Sequence, residues 1–190
     1  MQLIALNHPL FSRLGATSQS SWQRKLMLVL LGSILLTLSA KISIPLHPVP
    51  ITMQSLAVLF IGMAYGWRLG GAAVLAYLLE GFCGLPVFAE AFGGPAVFFD
   101  PTAGYIIGFL PAALLSGYLV EKGWGRSILS AALAGFAGIA VLYACGLTVM
   151  FAFFGIHKAI LLGIEPFLLL DLLKVLLVAS IIPLFWRSAK

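Results

Sequence analysis

Residues 127–156 read SILSAALAGFAGIAVLYACGLTVMFAFFGI, thirty consecutive residues without a charge. An apolar run of 18 or more residues is a candidate membrane crossing, and about 20 suffice for one helix. Thirty are too many for one untilted crossing and too few for two. The run therefore predicts one helix followed by an apolar loop near Gly155. The whole chain shares this character: 190 residues, 62% hydrophobic and 9% charged, with a mean hydropathy of +1.10. Soluble domains carry roughly 25% charged residues, and a domain of this size has too little interior for so much apolar side chain. A water-soluble globular protein is excluded. An all-α polytopic membrane protein remains, with length for about six or seven crossings and none to spare for a second, soluble domain.

Turn signals divide the chain into six spans. They cover residues 26–44, 51–65, 69–85, 103–120, one helix within 127–156, and 166–186. Pro45, Pro48 and Pro50 end the first; Gly66-Trp67-Arg68, an aromatic and a cation suited to an interface, closes the second. Residues 86–102, with Pro86, Glu90, Gly93, Gly94, Pro95, Asp100 and Pro101, read as a long ordered loop or re-entrant segment. Residues 1–25 form a mixed, polar N-terminal segment without the apolar core and small-residue cleavage site of a signal peptide, and residues 187–190 a short tail. With both termini cytoplasmic, inner segments carry eight cations (Arg13, Arg24, Lys25, Arg68, Lys122, Arg126, Arg187, Lys190) and outer segments two, Lys41 and Lys158. That asymmetry predicts cytoplasmic termini. The net charge of +5 is thus a topology signal rather than a nucleic-acid footprint, and Lys41, near the end of the first span, has a stem long enough to reach the headgroups.

Three ionisable residues fall inside spans: Glu80, Asp171 and Lys174. Each costs at least about 2.5–3.5 kcal/mol at a helix centre. Asp171 and Lys174 lie three apart on one helix face, roughly 8 and 12 Å below the outer end. They read either as a self-neutralising pair that helps the span insert, or as the polar floor of an outward-opening pocket for an amphiphilic solute. Lys174 would donate to a carboxylate, and Asp171 would accept from N–H groups. Glu80 has three readings: a partner for Lys174, a protonated carboxyl, or a liner of the same cavity. Thr52, Met53, Gln54 and Ser55 open the second span beside a Pro-rich segment that is either a lid or a tight connection. His47 and His157 lack metal-ligand spacing and read as interfacial, and Cys83 and Cys145 as small packing residues. Small residues such as Gly70, Gly71, Ala131 and Gly135 suit close helix packing. A G-x-x-x-x-G-K-[ST] loop is absent, as are H-E-x-x-H and G-x-S-x-G. ATP hydrolysis by this chain is therefore not expected, and an intramembrane enzyme using Glu80 and Asp171 is a poorly supported rival.

Several motifs occur in order: Ile44-Pro45-Leu46-His47-Pro48-Val49-Pro50-Ile51-Thr52-Met53-Gln54-Ser55-Leu56, then Glu80-Gly81-Phe82-Cys83-Gly84-Leu85-Pro86-Val87-Phe88-Ala89, Gly93-Gly94, Pro101-Thr102-Ala103-Gly104-Tyr105 and Asp171-x-x-Lys174. Together they closely resemble the BioY family, the biotin-binding S components of energy-coupling-factor (ECF) transporters. The resemblance, covering about residues 26–186, implies a six-helix protein of the cytoplasmic membrane. It would bind biotin outside and release it inward, working with a transmembrane coupling subunit and a pair of ATP-binding-cassette ATPases. It is not an enzyme on this reading and needs neither cofactor nor metal. The family's biotin-contacting Asp and Lys map onto Asp171 and Lys174, and its pocket-forming loop implicates Gly93, Gly94, Thr102 and Tyr105. An S component for another vitamin is the nearest alternative. The sequence departs from the family at Ala103, where a Gly is usual, and at Phe92 and Ile106, where some members place polar ligand contacts. The alanine-x-x-x-alanine docking pattern common on the first helix of S components is replaced by Ser33-x-x-x-Thr37.

Overall fold

A computed structural model describes residues 22–89 and 92–187. The N-terminal segment through residue 21, Glu90, and the tail at 188–190, with their expected roles, lie outside the described residues. Among the described residues, five helices are long and apolar enough to cross a membrane: α1 (Trp22–Lys41), α2 (Gln54–Phe82), α3 (Ala103–Glu121), α4 (Ile128–Gly163) and α5 (Glu165–Arg187). Between α1 and α2 runs a short antiparallel hairpin of β1 (Ser43–Ile44) and β2 (Ile51–Thr52), pairing Ser43 with Thr52.

The second and third expected spans are both contained in α2, which is broken at Gly66 (φ 81°, ψ 169°). Only glycine adopts that backbone at no steric cost. The two halves fold back so closely that a Cβ on Gly70 would lie 2.9 Å from the Gly62 Cα. A second break, at Gly155 (φ 74°, ψ 167°), divides α4. Here the structure corrects the sequence reading. The chain beyond Gly155 is not a loop but helix continuing to Gly163. Helical hydrogen bonds satisfy the backbone internally, which an apolar segment without water requires.

The described residues between α2 and α3 include a 3-10 turn at Pro95–Phe99. The course of this connection is set by Gly94, whose N–H donates to Gly81 O at 2.7 Å. The small residues expected to pack do so: Gly70, Gly71, Ala131, Ala134 and Gly135 are buried. Apolar side chains such as Leu30, Ile34, Leu38, Leu169 and Leu173 are exposed, as for helices that face lipid.

Two polar side chains of α1 are engaged by the rest of the fold. Ser33 is 1% exposed and its hydroxyl donates to Glu80 Oε2, so the Ser33 end of the Ser33-x-x-x-Thr37 stripe is turned toward α2, while Thr37 is half-buried. Lys41, at the end of α1, is exposed but engaged. Its ammonium donates to Pro86 O at 2.6 Å and Phe88 O at 2.9 Å, because those loop carbonyls stand beside the end of α1 and need donors.

Candidate functional site

One face of α5 carries Asp171 and Lys174, 4% and 7% exposed. Their three-residue spacing brings Lys174 Nζ to 2.8 Å from Asp171 Oδ1. The remaining two ammonium protons go to the Thr52 carbonyl in β2, at 2.7 Å, and to Ser55 Oγ in the first turn of α2, at 2.9 Å. The Ser55 hydroxyl in turn donates a hydrogen bond to Asp171 Oδ1 at 2.8 Å. From α4, the Tyr143 hydroxyl donates to Asp171 Oδ2 at 2.8 Å. Four elements thus converge on one ion pair, and every Lys174 proton is engaged. Removing such a pair from water is tolerable only with this degree of hydrogen bonding.

The pair lies on the wall of a cavity of about 370 Å³, within the roughly 300–1,000 Å³ of small-molecule sites. Thr52, Gln54, Ser55 and Tyr143 join it as polar liners, while Phe88, Val97, Phe109, Leu142 and Phe167 make apolar wall. Gln54 is itself anchored: its Nε2 donates to the Tyr77 hydroxyl at 2.6 Å, and Tyr77 donates onward to Val87 O at 3.2 Å. An ion pair beside a largely apolar chamber can hold a solute having both a polar group that donates and accepts and an apolar body.

The structure brings Thr102 and Tyr105 to the same cavity as Asp171 and Lys174. The Tyr105 hydroxyl donates to Gly163 O at 2.8 Å, spanning from α3 to the end of α4. Gly93 and Gly94 are not among the lining residues. They shape the connection behind the wall: a Cβ on Gly93 would meet Leu85 O at 2.3 Å. Glu80 neither pairs with Lys174 nor lines the cavity; its described partner is Ser33. The Glu80–Asp171 carboxylate pair that an intramembrane enzyme would need is therefore not assembled. The segment 45–50 forms part of the cavity wall through Leu46, Val49 and Pro50, and His47, expected as merely interfacial, is on that wall too. Tyr143 escaped the sequence reading. Its signal was present, since it is the one tyrosine in the uncharged run 127–156.

Residues 12–190 match the sequence profile of the BioY family. The chain belongs to the BioY family. A biotin transporter BioY of Thermotoga maritima is 42% identical over 151 residues, which are 79% of this chain and 88% of that protein. One from Rhizobium etli is 40% identical over 147 residues, 73% of this chain and 78% of the relative. In three dimensions the chain is similar to a crystal structure described as the S component for biotin from an ECF-type ABC transporter. The TM-score is 0.80 at 23% identity, over 89% of this chain and 95% of the other. The fold is thereby shared.

Among BioY proteins this chain's departures now have places. Phe92 and Ile106 both line the cavity and make that part of it apolar. Ala103 is buried at 2% exposure one position before Gly104, which packs against the α4 backbone.

Proposed function

We propose that this BioY-family chain captures biotin from outside the cell and delivers it inward as the S component of an ECF-type transporter. The observation that carries the reading is the Asp171–Lys174 pair, bound to Ser55 and Tyr143 on the wall of a mainly apolar cavity. Biotin has matching chemistry: a ureido ring that donates and accepts, an apolar tail and a carboxylate. Asp171, Lys174, Thr102 and Tyr105 are the proposed contact residues, with Gly93 and Gly94 acting through the loop they shape. The pocket holds a ligand and supplies no reaction. Energy for release comes from partners, a transmembrane coupling subunit and ABC-type ATPases, since the chain lacks a phosphate-binding loop.

The proposed topology is six crossings in the cytoplasmic membrane, the halves of α2 on either side of Gly66 counting as two. The charge division of eight inner to two outer cations supports cytoplasmic termini. A phosphatase reporter active only outside the cytoplasm should be silent when fused after Lys190, and activity there would reverse the orientation. Purified protein is expected to bind labelled biotin saturably, with excess unlabelled biotin displacing it and riboflavin or thiamine failing to do so. Displacement by either of the other vitamins would reassign the ligand.

A further inference from the structure

The stretch Pro86-Val87-Phe88 presents three consecutive carbonyls, and each is met by a side-chain donor from a neighbouring helix. Lys41, in the last turn of α1, donates to the first and third at 2.6 and 2.9 Å. Tyr77, wholly buried in α2, donates to the middle one at 3.2 Å. Pro86 itself has no N–H to offer a ladder, so side chains must supply what regular structure does not. Hydrogen bonds from an ammonium are the stronger kind.

Phe88 beyond this anchor is seated with little freedom. It is 2% exposed and stands edge-on to Tyr77 at 5.3 Å and to Phe98 at 5.9 Å. Its ring occupies the space over Gly81, where a Cβ would come within 2.1 Å. Phe88 and Ala89 line the cavity, whereas Lys41 does not.

We propose that Lys41 is a positioning residue for ligand capture: its ammonium, with the Tyr77 hydroxyl, pins the three carbonyls and so sets the Phe88–Ala89 wall against which the solute packs. The inference rests on the capture of biotin proposed above, but the pinning itself is independent of the ligand's identity. An ordered wall lowers the entropy lost on binding, and its loosening should show chiefly in dissociation.

Hydrogen exchange and biotin binding on the full-length protein, wild type against Lys41→Met and Lys41→Arg, test it. In Lys41→Met the amides of Val87, Phe88, Phe92 and Gly94 should exchange about tenfold faster, with those of α3 and α4 unchanged. Biotin should dissociate about tenfold faster. Lys41→Arg, which keeps charge and donors, should restore both to within about threefold of wild type. Unchanged exchange in Lys41→Met overturns the clamp, and faster exchange throughout the protein overturns its local action. Loosened amides with unaltered biotin dissociation overturn the positioning role. A wild-type protein that binds no biotin defeats the functional reading instead, and the exchange result still decides the clamp.

Discussion

Lys174→Met should lower biotin affinity at least about tenfold, about 1.4 kcal/mol, and should destabilise the protein as well. Methionine has nearly the length of lysine but none of its three donors. Its introduction leaves Asp171 with Ser55 and Tyr143 alone and strips the Thr52 carbonyl of its side-chain donor. Breaking a buried pair from one side costs about 3–5 kcal/mol, because a charge is left without its partner. The double variant Asp171→Asn with Lys174→Met separates the two roles. Asparagine is neutral and still accepts from Tyr143, so melting temperature should recover substantially. Affinity should not. A pair whose sole task is to neutralise itself during insertion would give the opposite pattern, with biotin binding unaffected in the double variant. Calorimetric titration beside thermal unfolding distinguishes them.

Gly104→Ala should be as damaging although Gly104 does not line the cavity. The added methyl would sit 2.4 Å from Cys145 O and 2.9 Å from the Gly146 Cα. Both are backbone of α4, so no side-chain rotation relieves the overlap, and α3 and α4 must separate. Overpacking of this sort costs about 1–3 kcal/mol, occasionally more. Tyr105, the next residue, lies so close to Gly146 that a Cβ there would come within 2.3 Å of its ring, and its hydroxyl is tied to Gly163 O. Separation of the helices drags this wall of the cavity with it, and a loss of about tenfold in biotin affinity should accompany a melting temperature several degrees lower. Ala140→Leu, at an exposed position of α4, is the control expected to change neither.

The uncharged run 127–156 announced a membrane protein because composition alone decides the solvent. Gly66 was legible as a boundary through the aromatic and cation that follow it. Gly155 was misread in its sequel, since hydropathy shows where a segment is apolar but not whether its backbone resumes a helix. Asp171 and Lys174 stood out because a three-residue spacing fixes their meeting within one element. Ser55 reaches Asp171 from 116 residues away in sequence and Tyr143 from 28; no local period encodes such convergence. The same blindness explains Lys41 and Glu80. Sequence position gives their depth in the bilayer, but not the loop carbonyls or the serine that occupy them.

The hydrogen bond from Ser33 to Glu80 also bears on how the chain is made. Synthesis runs from the N-terminus, so α1 leaves the ribosome before the second half of α2. Glu80 lies in the last turn of α2, which ends at Phe82, and a carboxyl in a membrane-spanning helix needs a partner or access to water. Chain order thus places the donor for Glu80 in the membrane ahead of the carboxyl it meets in the folded protein.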